Sequence, residues 1–238
     1  PAMVALATVY HAKKRYELAR MVLENAAQID PSDAAVHHRL GFVELALGER
    51  AQALEQFRTA VQLRPDYAEA QANYGAMLAD AEDYEGAVAA LETASRLMPG
   101  SAKVWNDLGN AYRGQRAFEK AEAAYRKALA LDAGLVDVHY NLGVLYLDGD
   151  KPGTPALSRV EQAVDFFDTY EKKGGKEREK RLASLLEEIV GGLREALELD
   201  PKNRRASQLL ERVLPEMGRW DDVARVLETA HQAGKPIG

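Results

Sequence analysis

Apolar side chains recur along this 238-residue chain at the spacing of a single helix face, in short runs separated by polar residues and helix breakers. Val36, Leu40 and Val43 make one run, and Leu54, Phe57 and Val61 the next. Residues three or four apart stack on the same side of an α-helix, so each run predicts a short amphipathic helix. Gly48-Glu49-Arg50 separates these two, and Gly114-Gln115-Arg116 occupies a similar gap further on. Glycine and clustered polar residues end helices, so the pattern predicts helices paired through tight turns.

The pairs repeat. Pro31, Pro65 and Pro99 are each 34 residues apart and close three similar phrases, AAQIDPSD, AVQLRPDY and ASRLMPGS. ALALDAGL follows at the same step with Ala133 in the proline slot, and ALELDPKN carries Pro201. Gly41, Gly75, Gly109 and Gly143 keep the step, as do Ala53, Ala87 and Ala121, and Ala60, Ala94 and Ala128. A fixed period of this length marks a repeat array in which each unit packs on its neighbours. The small residues suit a close crossing of two helices. The proline, unable to continue a helix, fixes the turn into the next unit.

These residues resemble the tetratricopeptide family over nearly the full chain. The fourth unit carries the pattern most completely, with Trp105, Leu108, Gly109, Tyr112, Ala121, Tyr125 and Ala128. The second has Leu40, Gly41, Ala53, Phe57, Ala60 and Pro65, and the third Tyr74, Gly75, Ala87, Leu91, Ala94 and Pro99. The first has Tyr10, Ala19, Leu23, Ala26 and Pro31, with Ala7 in the glycine slot. The resemblance implies an all-α, right-handed superhelical solenoid of antiparallel helix hairpins, about six repeats long with one repeat expanded.

The fifth unit breaks the rule. His139, Leu142, Gly143 and Tyr146 begin it normally, then LDGDKPGTPALS intervenes, rich in helix breakers (Gly149, Pro152, Gly153, Pro155). Helix resumes near Ala156, and Ala163, Phe166 and Phe167 restore the second-helix pattern about eight residues late. After Tyr170, the segment EKKGGKEREKR supplies Lys172, Lys173, Lys176, Arg178, Lys180 and Arg181. Glu171, Glu177 and Glu179 are interleaved with them, the pattern of a solvated face. Leu182, Leu185, Leu186, Ile189, Leu193 and Leu197 then share one face, on either one long helix or two broken at Gly191-Gly192. A last hairpin is expected at about 203–214 and 219–233, with Glu211 in the glycine slot as a terminal cap tolerates. The organisation read from sequence is therefore a regular array over 1–147, an expanded fifth repeat over 148–200 with a loop and an extra helix, and a C-terminal hairpin or cap over 201–238, all in one continuous solenoid.

Composition narrows the function. The net charge of −6 lacks the dominant positive field that nucleic acid requires. With no cysteine, disulfides, thiol catalysis and cysteine-ligated metals are excluded. No apolar run approaches the ~20 residues of a membrane span. The chain opens on Pro1, as an excised segment would. None of His11, His37, His38, His139 and His231 is paired at the spacing that puts two ligands on one helix face. DGDKPG begins like a calcium loop, but Pro152 takes a ligand position and the closing Glu is missing. No phosphate loop or nucleophile motif appears, so no catalytic residue, metal or cofactor is expected.

What the resemblance implies is partner binding. In the family, first helices line the concave side and hold a protein segment. Carried onto this chain, the inward positions are His38 and Phe42, then Ala72, Asn73 and Ala76, then Lys103, Asn106, Asn110 and Arg113, then Asp137, Tyr140, Asn141 and Val144. Asn amides suit peptide groups, Lys103 and Arg113 a carboxylate, Phe42 and Tyr140 apolar contact. The Lys/Asn clamp of chaperone-binding members is not reproduced, since Ala72 and Ala76 follow His38 and Phe42. The expectation is a non-enzymatic scaffold binding a protein or peptide segment, an assembly component of a multiprotein complex. Its setting is expected to be a bacterial cell-envelope machine of pilus-assembly or gliding type, with the periplasm or envelope favoured over the cytoplasm. The alternative is the substrate-recruiting region of a larger enzyme such as a glycosyltransferase. Oligomeric state is open at this stage.

Overall fold

The structure is a computed structural model that describes residues 2–148, 155–176 and 179–217. Among them are twelve α-helices and no strand, an all-α helical-repeat solenoid. The chain divides into two compact units, residues 1–133 and 134–238.

The first unit holds α1 (Ala2–Ala12), α2 (Tyr16–Ile29), α3 (Ala34–Leu47), α4 (Arg50–Leu63), α5 (Ala68–Asp80), α6 (Tyr84–Leu97), α7 (Ala102–Gly114) and α8 (Phe118–Leu131). They pack as four hairpins, and within this unit each second helix also touches the first helix of the next hairpin. One turn closes all four. The backbone N–H groups of Arg15, Glu49, Asp83 and Ala117 donate to the carbonyls of Tyr10, Glu44, Leu78 and Tyr112 at 2.8–2.9 Å. This bond needs one residue in the left-handed region just before it. Those residues are Lys14, Gly48, Glu82 and Arg116, with φ between 57° and 85°. Only Gly48 adopts that conformation without cost, so the other three turns are held by packing. Gly114, which reads in sequence as part of the turn, is instead the last residue of α7. An added Cβ there would lie 2.2 Å from the Tyr84 ring.

The small-residue slots do what close packing requires. Ala53, Ala87, Ala121, Ala60, Ala94 and Ala128 are all fully buried. An added Cβ on Gly41, Gly75 or Gly109 would approach the second-helix side chain sixteen residues on (Phe57, Leu91, Tyr125) to 2.5–2.6 Å. The start of each repeat is pinned by a second periodic contact. His37 Nε2 lies 3.1 Å from the Pro31 carbonyl, Gln71 donates to the Pro65 carbonyl at 2.9 Å, and Trp105 to the Pro99 carbonyl at 3.0 Å. Three different residue types share one property, a ring or amide nitrogen at the same reach.

The second unit holds α9 (Val136–Asp148), α10 (Ala156–Lys172), α11 (Glu179–Leu199) and α12 (Arg204–Glu216). Gly143 faces Phe167, and a Cβ there would come within 2.4 Å. This is the same glycine-to-ring contact at a separation of twenty-four residues instead of sixteen. His139 takes no part in the carbonyl contact that Trp105 makes one repeat earlier. Its ring packs against Phe166 at 6.4 Å, and among the described residues its buried nitrogens have no hydrogen-bond partner. Burial, then Lys173, holds it below the usual histidine pKa.

α10 ends at a Gly174-Gly175 turn, where Gly175 N–H donates to the Tyr170 carbonyl at 3.0 Å. α11 is one helix that runs through Gly191-Gly192. Both glycines are exposed, with open space where a Cβ would sit. Leu182, Leu186, Ile189, Val190 and Leu193 form its buried stripe, so packing on the opposite face outweighs the glycine penalty of about 1 kcal/mol each. The expected breakers Gly149, Pro152 and Gly153, and the helix expected at 219–233, lie outside the described residues.

α12 is tied to α10 by two arginines. Arg205 forks onto Glu161. Arg212 donates through Nε to Asp168 Oδ2 at 2.9 Å, through Nη2 to the same oxygen, and through Nη1 to Asp165 at 2.7 Å. Asp168 is buried while Arg212 is partly exposed. Removing Arg212 therefore strands a desolvated carboxylate, the expensive way to break such a pair. Arg212→Ala is expected to cost about 2 kcal/mol, below the range for fully buried pairs because water reaches the guanidinium. Arg212→Ala combined with Asp168→Leu should recover most of it. Urea unfolding of both variants checks this, and a single-variant loss under about 0.5 kcal/mol would count against the account.

Candidate functional site

The positions carried over from the family do not all reach solvent. On α3, His38 is only 8% exposed while Phe42 is 41% exposed. The His38 ring is enclosed by Phe42, Phe57 and Tyr67 at centroid distances of 4.8–5.7 Å. Both its nitrogens are used. Asn73 Nδ2 donates to Nε2 at 2.9 Å, which leaves the ring proton on Nδ1, 3.0 Å from the Tyr67 hydroxyl. Arg64 lies over the face of Tyr67, 3.6 Å from the ring centroid. Burial chiefly, helped by Arg39 and Arg64 and opposed by Glu69, pushes the His38 pKa down to about 4. His38 and Asn73 thus form an internal polar network beneath the exposed Phe42.

On α7, Lys103 is exposed and paired with Asp107 at 2.8 Å. Asn106 donates to Asp107 at 3.4 Å, and Asn110 accepts the Tyr125 hydroxyl at 2.7 Å. Arg113 is half-buried at the end of the helix. In the second unit Asp137 is half-buried, but Tyr140 and Asn141 are each 2% exposed. The Tyr140 ring contacts Tyr170 at 5.5 Å and Phe167 at 5.9 Å. Those two side chains are core residues of the α9–α10 hairpin.

A cleft of about 230 Å³ opens beside Phe42 in the first unit. Ala7, Leu23 and Val43, all buried, supply its apolar lining from three helices, with Phe42 alongside. Thr8, His11 and Arg39 add polar edges. Arg39 donates to Thr8 Oγ1 at 3.1 Å, and that hydroxyl donates on to the Val4 carbonyl at 2.8 Å. Arg39 was missed from sequence although the signal was present. The repeat step of 34 leads from Asn141 to Asp107, Asn73 and Arg39, four polar residues in one slot. Among the described residues no three His, Asp or Glu side chains converge as metal ligands, and no helix is long and apolar enough to cross a membrane.

Residues 10–77 match one tetratricopeptide-repeat model and residues 102–134 another. The chain is a tetratricopeptide-repeat protein. Repeats of this kind form protein-interaction scaffolds and are typically non-catalytic. Solved structures carry the same fold. Pseudomonas aeruginosa PilF superposes with a TM-score of 0.62 at 23% identity, over 94% of this chain and 96% of that one. MamA of Desulfovibrio magneticus RS-1 gives a TM-score of 0.64 at 23% identity, over 72% of this repeat protein and 93% of that chain. YrrB, described as a TPR protein with an unusual peptide-binding site, gives 0.62 at 19%, over 74% and 86%. At these identities the likeness is one of fold. No curated protein matches this repeat protein.

Proposed function

We propose that this protein is a non-enzymatic scaffold that holds a segment of a partner protein along the first-helix face of its first unit, as one component of a multiprotein assembly. The observation that carries this is Phe42, a large apolar side chain left 41% exposed on α3 beside an apolar cleft. Exposed aromatics next to a pocket are the usual anchors of protein recognition. Lys103 and Arg113 stand on α7, the first helix of the fourth hairpin, while the buried Tyr140 and Asn141 contribute packing instead. Within this reading the favoured setting is a bacterial cell-envelope machine of pilus-assembly or gliding type; the likeness of fold to Pseudomonas aeruginosa PilF over 94% of this chain supports a bacterial setting.

The test is in-cell photo-crosslinking with benzoyl-phenylalanine placed at position 42, 103 or 113, and at Glu55 on the second helix α4 as control. A common crosslinked partner at 42 and at least one α7 position, with none at 55, is expected. Equal labelling at 55, or no product at 42, would overturn the assignment. Charge reversal at Lys103 and Arg113 should weaken capture of that partner. Fractionation of cells carrying the crosslinked product locates the complex.

A further inference from the structure

The cleft beside Phe42 bears on the chemistry of the segment that binds. We infer that the cleft between α1 and α3 receives one large apolar side chain of the partner segment, and that Arg39 binds an Asp or Glu adjacent to it. This rests on the first-helix face being the binding surface.

Three observations converge. The first is size. A volume of about 230 Å³ exceeds the ~150 Å³ of an apolar cavity that admits benzene. Its apolar lining of Ala7, Leu23 and Val43 offers a buried polar group nothing. The second is charge. Arg39 pairs with no carboxylate among the described residues, unlike Arg20, Arg50, Arg58 and Arg126; Arg96 likewise bonds only a neutral hydroxyl, that of Thr93, so what sets Arg39 apart is that it does so on the edge of the cleft. Its recorded bond is to the neutral Thr8 hydroxyl.

The third is orientation. Because the Thr8 proton is committed to the Val4 carbonyl, its oxygen accepts from Arg39 and holds the guanidinium at the cleft edge. A guanidinium has five donors in a planar fork, and the bond to Thr8 leaves the rest for a carboxylate, which it binds in a bidentate manner. Around it, His38 is neutral at pH 7, and Phe42 supplies an apolar neighbour that strengthens the pairing by excluding water. An apolar side chain alone would leave Arg39 partly desolvated and unpaired. A basic segment would be repelled.

The experiment selects from a library of random twelve-residue peptides displayed with both ends fused, so that a free terminal carboxylate is never presented. The full chain, Arg39→Glu and Phe42→Ala are each used as bait, after circular dichroism melts show that all three fold alike. The wild type is expected to enrich Leu, Ile, Met or Phe next to Asp or Glu. Arg39→Glu should lose affinity for those peptides by about tenfold or more and enrich Lys or Arg in the acidic position. Peptides that need Phe42 but bind Arg39→Glu unchanged would sink this inference while leaving the binding face standing. Peptides indifferent to both changes would place recognition elsewhere and overturn it, and absence of any enrichment would end both readings. Self-association abolished by Arg39→Glu would assign the cleft to a second copy instead.

Discussion

Tyr125→Ala is expected to destabilise the first unit by about 3–5 kcal/mol, the range for emptying a buried aromatic site. The Tyr125 side chain is wholly buried. Its ring lies against Gly109 so closely that an added Cβ there would fall 2.5 Å from two ring carbons. Removing the ring leaves a space that α7 cannot move to close, because α7 is also held against α6 of the preceding hairpin. The hydroxyl contributes separately through its bond to Asn110. Tyr125→Phe should therefore cost about 1 kcal/mol, the worth of one buried hydrogen bond. Urea unfolding followed by circular dichroism, with the slope held constant between variants, separates the two. A loss under about 1 kcal/mol for Tyr125→Ala would show that the glycine-to-ring contact does not hold the hairpin together.

That contact is also why so much of the fold was legible. Backbone-distance requirements exclude all but the smallest side chain, so Gly41, Gly75, Gly109 and Gly143 stand out at a fixed step, and the displaced partner Phe167 marks the inserted loop. Positions with a looser physical requirement do not show themselves. The contact to the proline carbonyl is made by His, Gln and Trp alike, so identity hides a conserved geometry within the chain. The left-handed turn residue is Lys, Gly, Glu and Arg in four successive hairpins, and only the glycine is suggestive.

The slot of Tyr10, Leu78, Tyr112 and Tyr146 contains Glu44 in the second unit of the array. Burial raises the pKa of this carboxyl, with Arg20 in partial opposition. Inward-facing site positions proved least legible. Helical phase says which way a residue points, but whether His38 or Tyr140 is covered depends on Phe57 and Tyr170, from other helices, and on Tyr67, which stands at the start of α5. Arg39 matters only because Leu23, from a different helix, lines the cleft beside it.

His38 gives the second large effect, and its direction follows from the same burial. The ring has a pKa of about 4 when folded, against 6.5 as the ordinary value. Between those values the unfolded chain binds the proton and the folded chain does not. Folding stability from this group is therefore fully present above pH 6.5 and is lost as pH falls toward 4. The loss is on the order of 3 kcal/mol across that window. Protonation would also turn Nε2 from an acceptor into a donor facing the Asn73 amide nitrogen, removing that hydrogen bond. His38→Gln keeps polar reach toward Tyr67 and Asn73 but does not titrate. Carboxylates, Glu44 among them, titrate in both proteins. The decisive quantity is thus the difference in unfolding free energy between wild type and His38→Gln at pH 7 and pH 4.5. That difference should move by about 2–3 kcal/mol, to the disadvantage of the wild type at low pH. A difference that stays level would mean His38 is protonated without cost. The packing of Phe42, Phe57 and Tyr67 around it would then be looser than their contacts indicate, and the wall that holds Phe42 at the cleft would be looser with it.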